Sequence, residues 1–263
     1  MRRGTMLVVL VAGVLASVPA AAGPSCGGKR ATIVGTGAGE RIKGTPGRDV
    51  IVANGGNDVV LGKGGRDVIC GNSGNDALDG GPGNDRLYEG PSVPVGTGES
   101  CDLHLEGGGG DDRLIGGAAH ECLDGGPGED RLVGGDGWDQ FWPGDDDDVM
   151  VGGPPDGDFM GTALQWADIV FYDQSPAAIT LSFAAGTSSG WGNDTLDTID
   201  SAWGSHFADV LTGDDEDNQI YGQGGQDQVF GLGGDDFLVA TGFIDGGTGT
   251  DSCQQAATTA NCP

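Results

Sequence analysis

The sequence predicts an all-β chain wound as a solenoid, and three observations carry that reading. Glycine fills 55 of 263 positions, roughly three times its usual share. That disfavours a helical bundle, because each helical glycine costs about 1 kcal/mol. The glycines recur with a period of nine, without which Gly plus Pro at 67 of 263 would indicate disorder. Every nonamer also carries an apolar residue at its eighth position, which a flexible linker does not need.

Charge and cysteine bound the partners and the compartment. There are 40 Asp plus Glu against 12 Lys plus Arg, a formal charge of −28. Such a polyanion is not expected to bind a nucleic-acid backbone, which needs cations to displace counterions, nor an anionic membrane surface. Met1-Arg2-Arg3, an apolar run over 6–18 and Pro19-Ala20-Ala21-Ala22-Gly23 read as a secretory signal peptide cleaved before Gly23. No segment is suited to membrane insertion. The expected location is secreted and extracellular, and the remaining chain carries ten basic and 40 acidic residues. Its six cysteines then suggest three disulfides. Neighbourhood pairs them as Cys26–Cys70, Cys101–Cys122 and Cys253–Cys262, although six cysteines allow 15 connectivities.

The chain divides by the repeat. After a cap over 23–43, the first block runs GTPGRDVIV, ANGGNDVVL, GKGGRDVIC, GNSGNDALD, GGPGNDRLY from Gly44. Position six is Asp49, Asp58, Asp67, Asp76 and Asp85; position eight is Ile51, Val60, Ile69, Leu78 and Leu87. A degenerate stretch over 89–106 keeps the phase, since Asp85 and Asp112 are 27 residues apart, and it puts Leu105 on a core position. The second block, to 151, has Asp112, Glu121, Asp130, Asp139 and Asp148 at position six. The third, within 204–252, has Asp209, Asn218, Asp227 and Asp236. Asp148 and Asp209 are 61 residues apart, not a multiple of nine, so 152–203 is expected as a β insertion between two solenoid pieces, with strands near 168–172 and 178–183. Residues 253–263 form a disulfide-closed tail.

Each nonamer is a six-residue glycine turn and a three-residue strand. In such a strand the middle residue faces opposite to its neighbours, so position eight points inward. Two nonamers make one coil of 18 residues, and repeats two apart stack at about 4.8 Å. Asp67 then lies over Asp49. Two carboxylates about 4 Å apart repel by about 4 kcal/mol at an effective dielectric near 20. A cation between them removes that cost. Carboxylate plus carbonyl oxygens, six or more, are the donors that Ca²⁺ prefers.

The pattern GGxGxDxUx, with U a large aliphatic residue, resembles the RTX or haemolysin-type calcium-binding repeat. The resemblance covers 14 nonamers and implies a right-handed parallel β-roll that binds several Ca²⁺, up to about eight. It also implies ligands. In that family the earlier turn lends carbonyls of positions two and four and its Asp; the later turn lends carbonyls of positions one and three and its Asp. Here the first site would use Thr45, Gly47, Asp49, Gly62, Gly64 and Asp67. The pair 58/76 brings Gly56, Asp58, Gly71, Ser73 and Asp76, and 67/85 brings Gly65, Gly80, Pro82 and Asp85, with Gly74 at position four beside Asp76. In the second block 112/130 takes Gly108, Gly110, Asp112, Gly125, Pro127 and Asp130, and 130/148 adds Gly128 and Asp148. Glu121 with Gly134, Asp136 and Asp139 is a poorer pair, because Glu is one methylene longer. The pair 209/227 takes Asp209, Gly222, Gly224 and Asp227; Gly231, Gly233 and Asp236 face Asn218, which is uncharged. Unlike the familiar RTX exoproteins, which are cysteine-poor and keep a C-terminal export signal, this chain has cysteines and an apparent N-terminal signal.

No catalytic machinery is expected. There is no H-E-x-x-H, since His120-Glu121 is followed by Cys122-Leu123-Asp124, so neither a protease nor a toxin domain is expected. Gly186-Thr187-Ser188-Ser189-Gly190 matches G-x-S-x-G but lacks the strand–turn–helix context. His104, His120 and His206 are scattered. Trp138 and Trp142 flank Phe141 and face outward, where they either pack on the insertion or present a sugar- or partner-binding face. The chain thus reads as a non-enzymatic calcium-binding protein that folds on binding. The alternative is a calcium-stiffened adhesion or matrix module with a cell-surface polysaccharide or protein partner.

Overall fold

The computed structural model describes residues 23–91, 103–154 and 168–262. The expected signal peptide and Cys101 lie outside the described residues. Among those residues every regular element is a strand, most of them three residues long. Among the described residues no helix is long and apolar enough to cross a membrane. Apart from a two-stranded hairpin at the start, the strands form one sheet of eleven and one of fourteen, and the chain alternates between them. Arg41–Lys43 lies in the first, Val50–Gly55 in the second, and Val59–Leu61 back in the first. The result is the expected parallel β-solenoid.

Position eight builds the core. In the eleven-stranded sheet Val60, Leu78, Leu105, Leu123, Phe141, Val170, Ala202, Ile220 and Leu238 stack in register. In the other, Ile51, Ile69, Leu87, Leu114, Leu132, Met150 and Leu196 do the same. Almost all have no solvent exposure. A row one side chain wide, repeated at strand spacing, encloses apolar surface that a single coil could not hide.

Three places depart from the simple repeat. First, Leu105 stacks directly on Leu78, and Leu114 directly on Leu87. The 27 residues between Asp85 and Asp112 therefore make one coil and not one and a half. Second, the segment 152–203 does not stand apart as an insertion between two pieces. Ile169–Phe171, Thr195–Asp197 and Ser201–Trp203 extend both sheets. Asp168, Asp194 and Asp200 each precede their core residue by two, as position six does in the repeats. What is inserted is one antiparallel strand: Thr187–Ser189 lies between Thr180–Ser182 and Thr195–Asp197 in the fourteen-stranded sheet. Third, Gly246–Gln254 reads GGTGTDSCQ, a further full repeat with Cys253 at position eight. Its strand Ser252–Gln254 stacks on Phe237–Val239.

Both ends are tied. Cys26–Cys70 pins the hairpin Ser25–Cys26/Lys29–Arg30 over Val50, Val52 and Val68. Cys253–Cys262 joins the last strand of one sheet to the chain end beyond the last strand of the other. Cys122 is also disulfide-bonded. On the outer face of the eleven-stranded sheet, Trp142, Phe171, Trp203, Tyr221 and Phe237 form a row with ring centroids 4.6–5.7 Å apart. Trp142 thus packs on a ring of the 152–203 segment, and Trp138 stacks on His120 at 4.2 Å.

Candidate metal centre

The turn conformation follows from its glycines. Positions two and four take left-handed φ, as at Gly81 (83°) and Gly83 (151°), where a side chain is strained and glycine is not. Asn54, Lys63 and Asn72 accept the same conformation at position two. Position one is glycine for space. A side-chain carbon at Gly62 would lie 2.6 Å from the Gly80 carbonyl oxygen and 2.8 Å from Asp67 Oδ2. At Gly80 the corresponding atoms are Gly107 O at 2.7 Å and Asp85 Oδ2 at 2.6 Å; at Gly107 they are Gly125 O at 2.7 Å and Asp112 Oδ2 at 2.6 Å. Backbone and carboxylate oxygens therefore crowd one channel along each edge of the solenoid.

The position-six side chains form two ladders. Each N–H donates to Oδ1 of the acid one coil further on: Asp49 to Asp67, Asp67 to Asp85, Asp85 to Asp112, Asp112 to Asp130 and Asp130 to Asp148, at 2.6–2.8 Å. On the other edge run Asp58 to Asp76, Glu121 to Asp139, Asp139 to Asp168, Asn218 to Asp236 and Asp236 to Asp251, at 2.8–3.1 Å. Asp209 to Asp227 follows at 3.1 Å. The later turn's position-three carbonyl also stays in the stack: Ser73, Pro82 and Pro127 accept N–H groups of Gly56, Gly65 and Gly110. One lone pair of each remains for another partner.

The second carboxylate oxygen separates the sites. Oδ2 of Asp58, Asp67, Asp76, Asp85, Asp112, Asp130, Asp148, Asp227, Asp236 and Asp251 is buried with no hydrogen-bond donor. Elsewhere the protein supplies donors. Thr45 N–H and Oγ1 donate to Asp49 Oδ2 at 2.7 and 2.9 Å. Ser205 donates N–H to Asp209 Oδ2 and Oγ–H to Oδ1, both at 2.6 Å. Asn218 Oδ1 accepts the Asp214 N–H at 2.8 Å. Thr45 and Asp49 thus form an internally capped coil at the start of the first block, and Ser205 and Asp209 one at the start of the third. Gly47, Gly64, Gly71, Gly74, Gly108, Gly110, Gly125, Gly128, Gly134, Asp136, Gly222, Gly224, Gly231 and Gly233 all lie in the stacked turns beside the ladders.

Burial without a counter-charge raises these acids. Asp76 and Asp85 are pushed up to about 6, Asp112, Asp130 and Asp236 to about 7, and Asp148 to about 9, in each case first by desolvation. Asp139 is raised by burial and then by Glu121 beside it. A bound cation would reverse this by favouring the ionised form. Among the described residues no three His, Cys, Asp or Glu side chains converge on one point. Each interval offers two carboxylates, and its other oxygens come from backbone, a donor set of the Ca²⁺ type.

The sequence reading missed several ladder members. Glu89 lies outside position six, yet it is fully buried, its Oε1 accepts the Asp76 N–H at 3.1 Å, and its Oε2 has no donor. It fills the rung left where Leu103 stands at position six, and burial lifts it to about 8. Only the fold brings it there. Asp251 was legible in its full nonamer, and Asp168, Asp194 and Asp200 in their spacing to the following apolar residue. The pair 85/112 was hidden because a whole nonamer is absorbed in one coil.

Asp194 is different. Its Oδ1 takes the Asp148 N–H at 3.1 Å, but its Oδ2 accepts Tyr172 Oη–H at 2.7 Å and Ser188 Oγ–H at 2.6 Å. Tyr172 is fully buried and Ser188 nearly so. The G-x-S-x-G serine therefore spends its hydroxyl inside the core and is no exposed nucleophile.

The chain matches the family model of the RTX calcium-binding nonapeptide repeat (4 copies) over residues 34–69, 62–87, 104–132, 123–150 and 203–238. These spans hold just over half of its residues. No curated protein matches it.

Proposed function

The chain belongs to the RTX calcium-binding nonapeptide-repeat family, and from that premise we propose that it is a secreted, non-enzymatic calcium-binding protein whose solenoid closes as ions enter its ladders. The carrying observation is the row of buried carboxylate oxygens without donors. Calcium would supply two positive charges and a demand for six to eight oxygens in each interval. The intervals best suited are those where both second oxygens lack a donor: 58/76, 67/85, 85/112, 112/130, 130/148, 76/89 and 236/251. At 49/67, 209/227 and 218/236 one partner is already satisfied. In each suited interval the chain fixes one carboxylate oxygen by a backbone N–H and leaves the other facing the position-one carbonyls. Where ions are lacking, adjacent carboxylates and a net charge of −28 oppose closure. Secretion is supported by the N-terminal leader and the disulfides.

Calcium titration of residues 23–263, followed by calorimetry and circular dichroism on one sample, tests this. The expected outcome is cooperative filling of several sites at about 10⁻⁴–10⁻³ M as β signal appears, reversed by chelator. An unchanged β spectrum in excess chelator, with disulfides reduced, would overturn calcium-coupled folding. A second reading, a calcium-stiffened adhesion or matrix module, is favoured by the half-buried aromatic row from Trp142 to Phe237. At its end a cavity of about 400 Å³ is lined by Trp203, Tyr221, Phe237, Gln223 and Gln254.

A further inference from the structure

All ten Lys and Arg of residues 23–263 lie before residue 132, among 17 acids; residues 132–263 carry 23 acids and no Lys or Arg. The cations are also ordered in space. Arg86, Arg113 and Arg131 stand in register on three successive strands of the fourteen-stranded sheet, exposed at outward-facing position seven. Neighbouring strands are about 4.8 Å apart. Arg48 and Arg66 precede the two strands before them. Lys29 reaches the same end of the row on the disulfide-pinned hairpin, whose Gly27 rests on Val68 and Tyr88. The charges around Lys29 are cationic: burial first, then Arg48, Arg86 and Arg66, pull its pKa down. Among the described residues none of the six forms an ion pair, although Arg66 acts at longer range to lower the pKa of Asp85. Tyr88, Ile115 and Val133 run beside the arginines, also in register and half-buried. The outer face of the eleven-stranded sheet carries Asp79, Glu106 and Asp124 in register instead.

We propose that the Arg86–Arg113–Arg131 face is a binding track for a linear anionic polysaccharide. One guanidinium per coil meets its repeated carboxylate or sulfate groups, and the Tyr88–Ile115–Val133 column covers the apolar faces of its sugars. Charge complementarity and the straight row select this occupant. A lone small anion needs converging donors, and a row does not converge. A bilayer needs a continuous patch of exposed large apolar side chains; of those described, Phe207 and Leu232 lie in turns of the third block, and Val34 stands alone three coils before Tyr88 in the same column. The proposal rests on the calcium reading. With Asp58, Asp67, Asp76, Asp85, Glu89, Asp112 and Asp130 neutralised, the first half sets ten cations against the ten remaining acids and no longer repels a polyanion.

The test is affinity electrophoresis of residues 23–263 in millimolar calcium, with dextran sulfate and with unsulfated dextran of equal length. Dextran sulfate is expected to bind, more weakly as salt rises, and dextran is not. Arg86→Gln/Arg113→Gln/Arg131→Gln should weaken binding about tenfold or more. Arg41→Gln/Lys43→Gln/Lys63→Gln removes equal charge elsewhere and should change it less than about twofold. Equal loss in both triples would overturn the track, since net charge alone would then suffice. Self-association without polymer, lost in the arginine triple, would assign the face to a second copy's acidic half and also overturn it. Circular dichroism with and without calcium reports the calcium reading separately, so a folded chain that ignores dextran sulfate removes the track alone.

Discussion

A carboxylate in this solenoid has two different oxygens. Oδ1 of Asp130 is held by the Asp112 N–H at 2.7 Å, while Oδ2 is buried without a donor. An amide at this position would keep the first contact and turn an N–H₂ toward the crowded carbonyls. The chain already uses that solution at Asn218, whose Oδ1 accepts the Asp214 N–H. Asp130→Asn is therefore expected to act with opposite signs. In chelator it should stabilise the fold by about 1 kcal/mol, since a buried unpaired acceptor is removed. In calcium it should lower the number of ions bound and the rise in Tm they cause. Thermal melts in calcium and the residual β signal in chelator check this, and less residual β signal in chelator than in the parent chain would show that Oδ2 is not an orphan in solution.

At the scale of the element, the coil is the unit, and coils are not alike. Those opening with Thr45 and Ser205 satisfy their own aspartates; the strands stacked before them, Ile33–Val34 and Thr180–Ser182, bring Ala31 and Ile179 and not an acid to position six. The joint at Thr187–Ser189 replaces a ladder interval with the Tyr172–Ser188–Asp194 hydrogen bonds. This joint needs no cation. Tyr172→Phe leaves a buried carboxylate short of one donor and is expected to cost about 1–3 kcal/mol. Unlike that of Asp130→Asn, its cost should not depend on calcium concentration. Denaturant titrations at saturating and at tenfold lower calcium measure this, and a loss that grows with calcium would mean that an ion also sits at Asp194.

The whole molecule couples these elements through charge. In the folded, metal-free state Asp76 and Asp85 titrate near 6, Asp112, Asp130 and Asp236 near 7, Glu89 near 8 and Asp148 near 9. Unfolded, such groups titrate near 4. The folded state thus binds more protons across that window. Its metal-free stability is present below about pH 4 and is lost as pH rises toward 9. In saturating calcium the ladder acids stay ionised in the folded state, so stability should be level above about pH 5 and fall only as pH drops through about 4. Circular dichroism from pH 3.5 to 8.5, with chelator and with calcium, checks both profiles. A flat profile in chelator would mean that the ladders open without their ions.

The nonapeptide period determined the all-β class, the inward row from Ile51 to Leu238 and most position-six acids, because a repeat whose core is one side chain wide is a local property of nine residues. A related local signal, an acid two residues before an apolar one, is present at Asp168, Asp194, Asp200 and Asp251, which the sequence reading left out. Which acids face one another was decided only by the tertiary structure. Pairing depends on how many residues each coil consumes, and the 27 residues from Asp85 to Asp112 or the 15 from Asp236 to Asp251 become single coils only when packed. Glu89 entering a rung from outside the pattern, and hydroxyls from Tyr172 and Ser188 taking the place of a cation at Asp194, follow from the same cause. Burial leaves each carboxylate oxygen in want of a partner, and the folded chain supplies whichever group lies within reach.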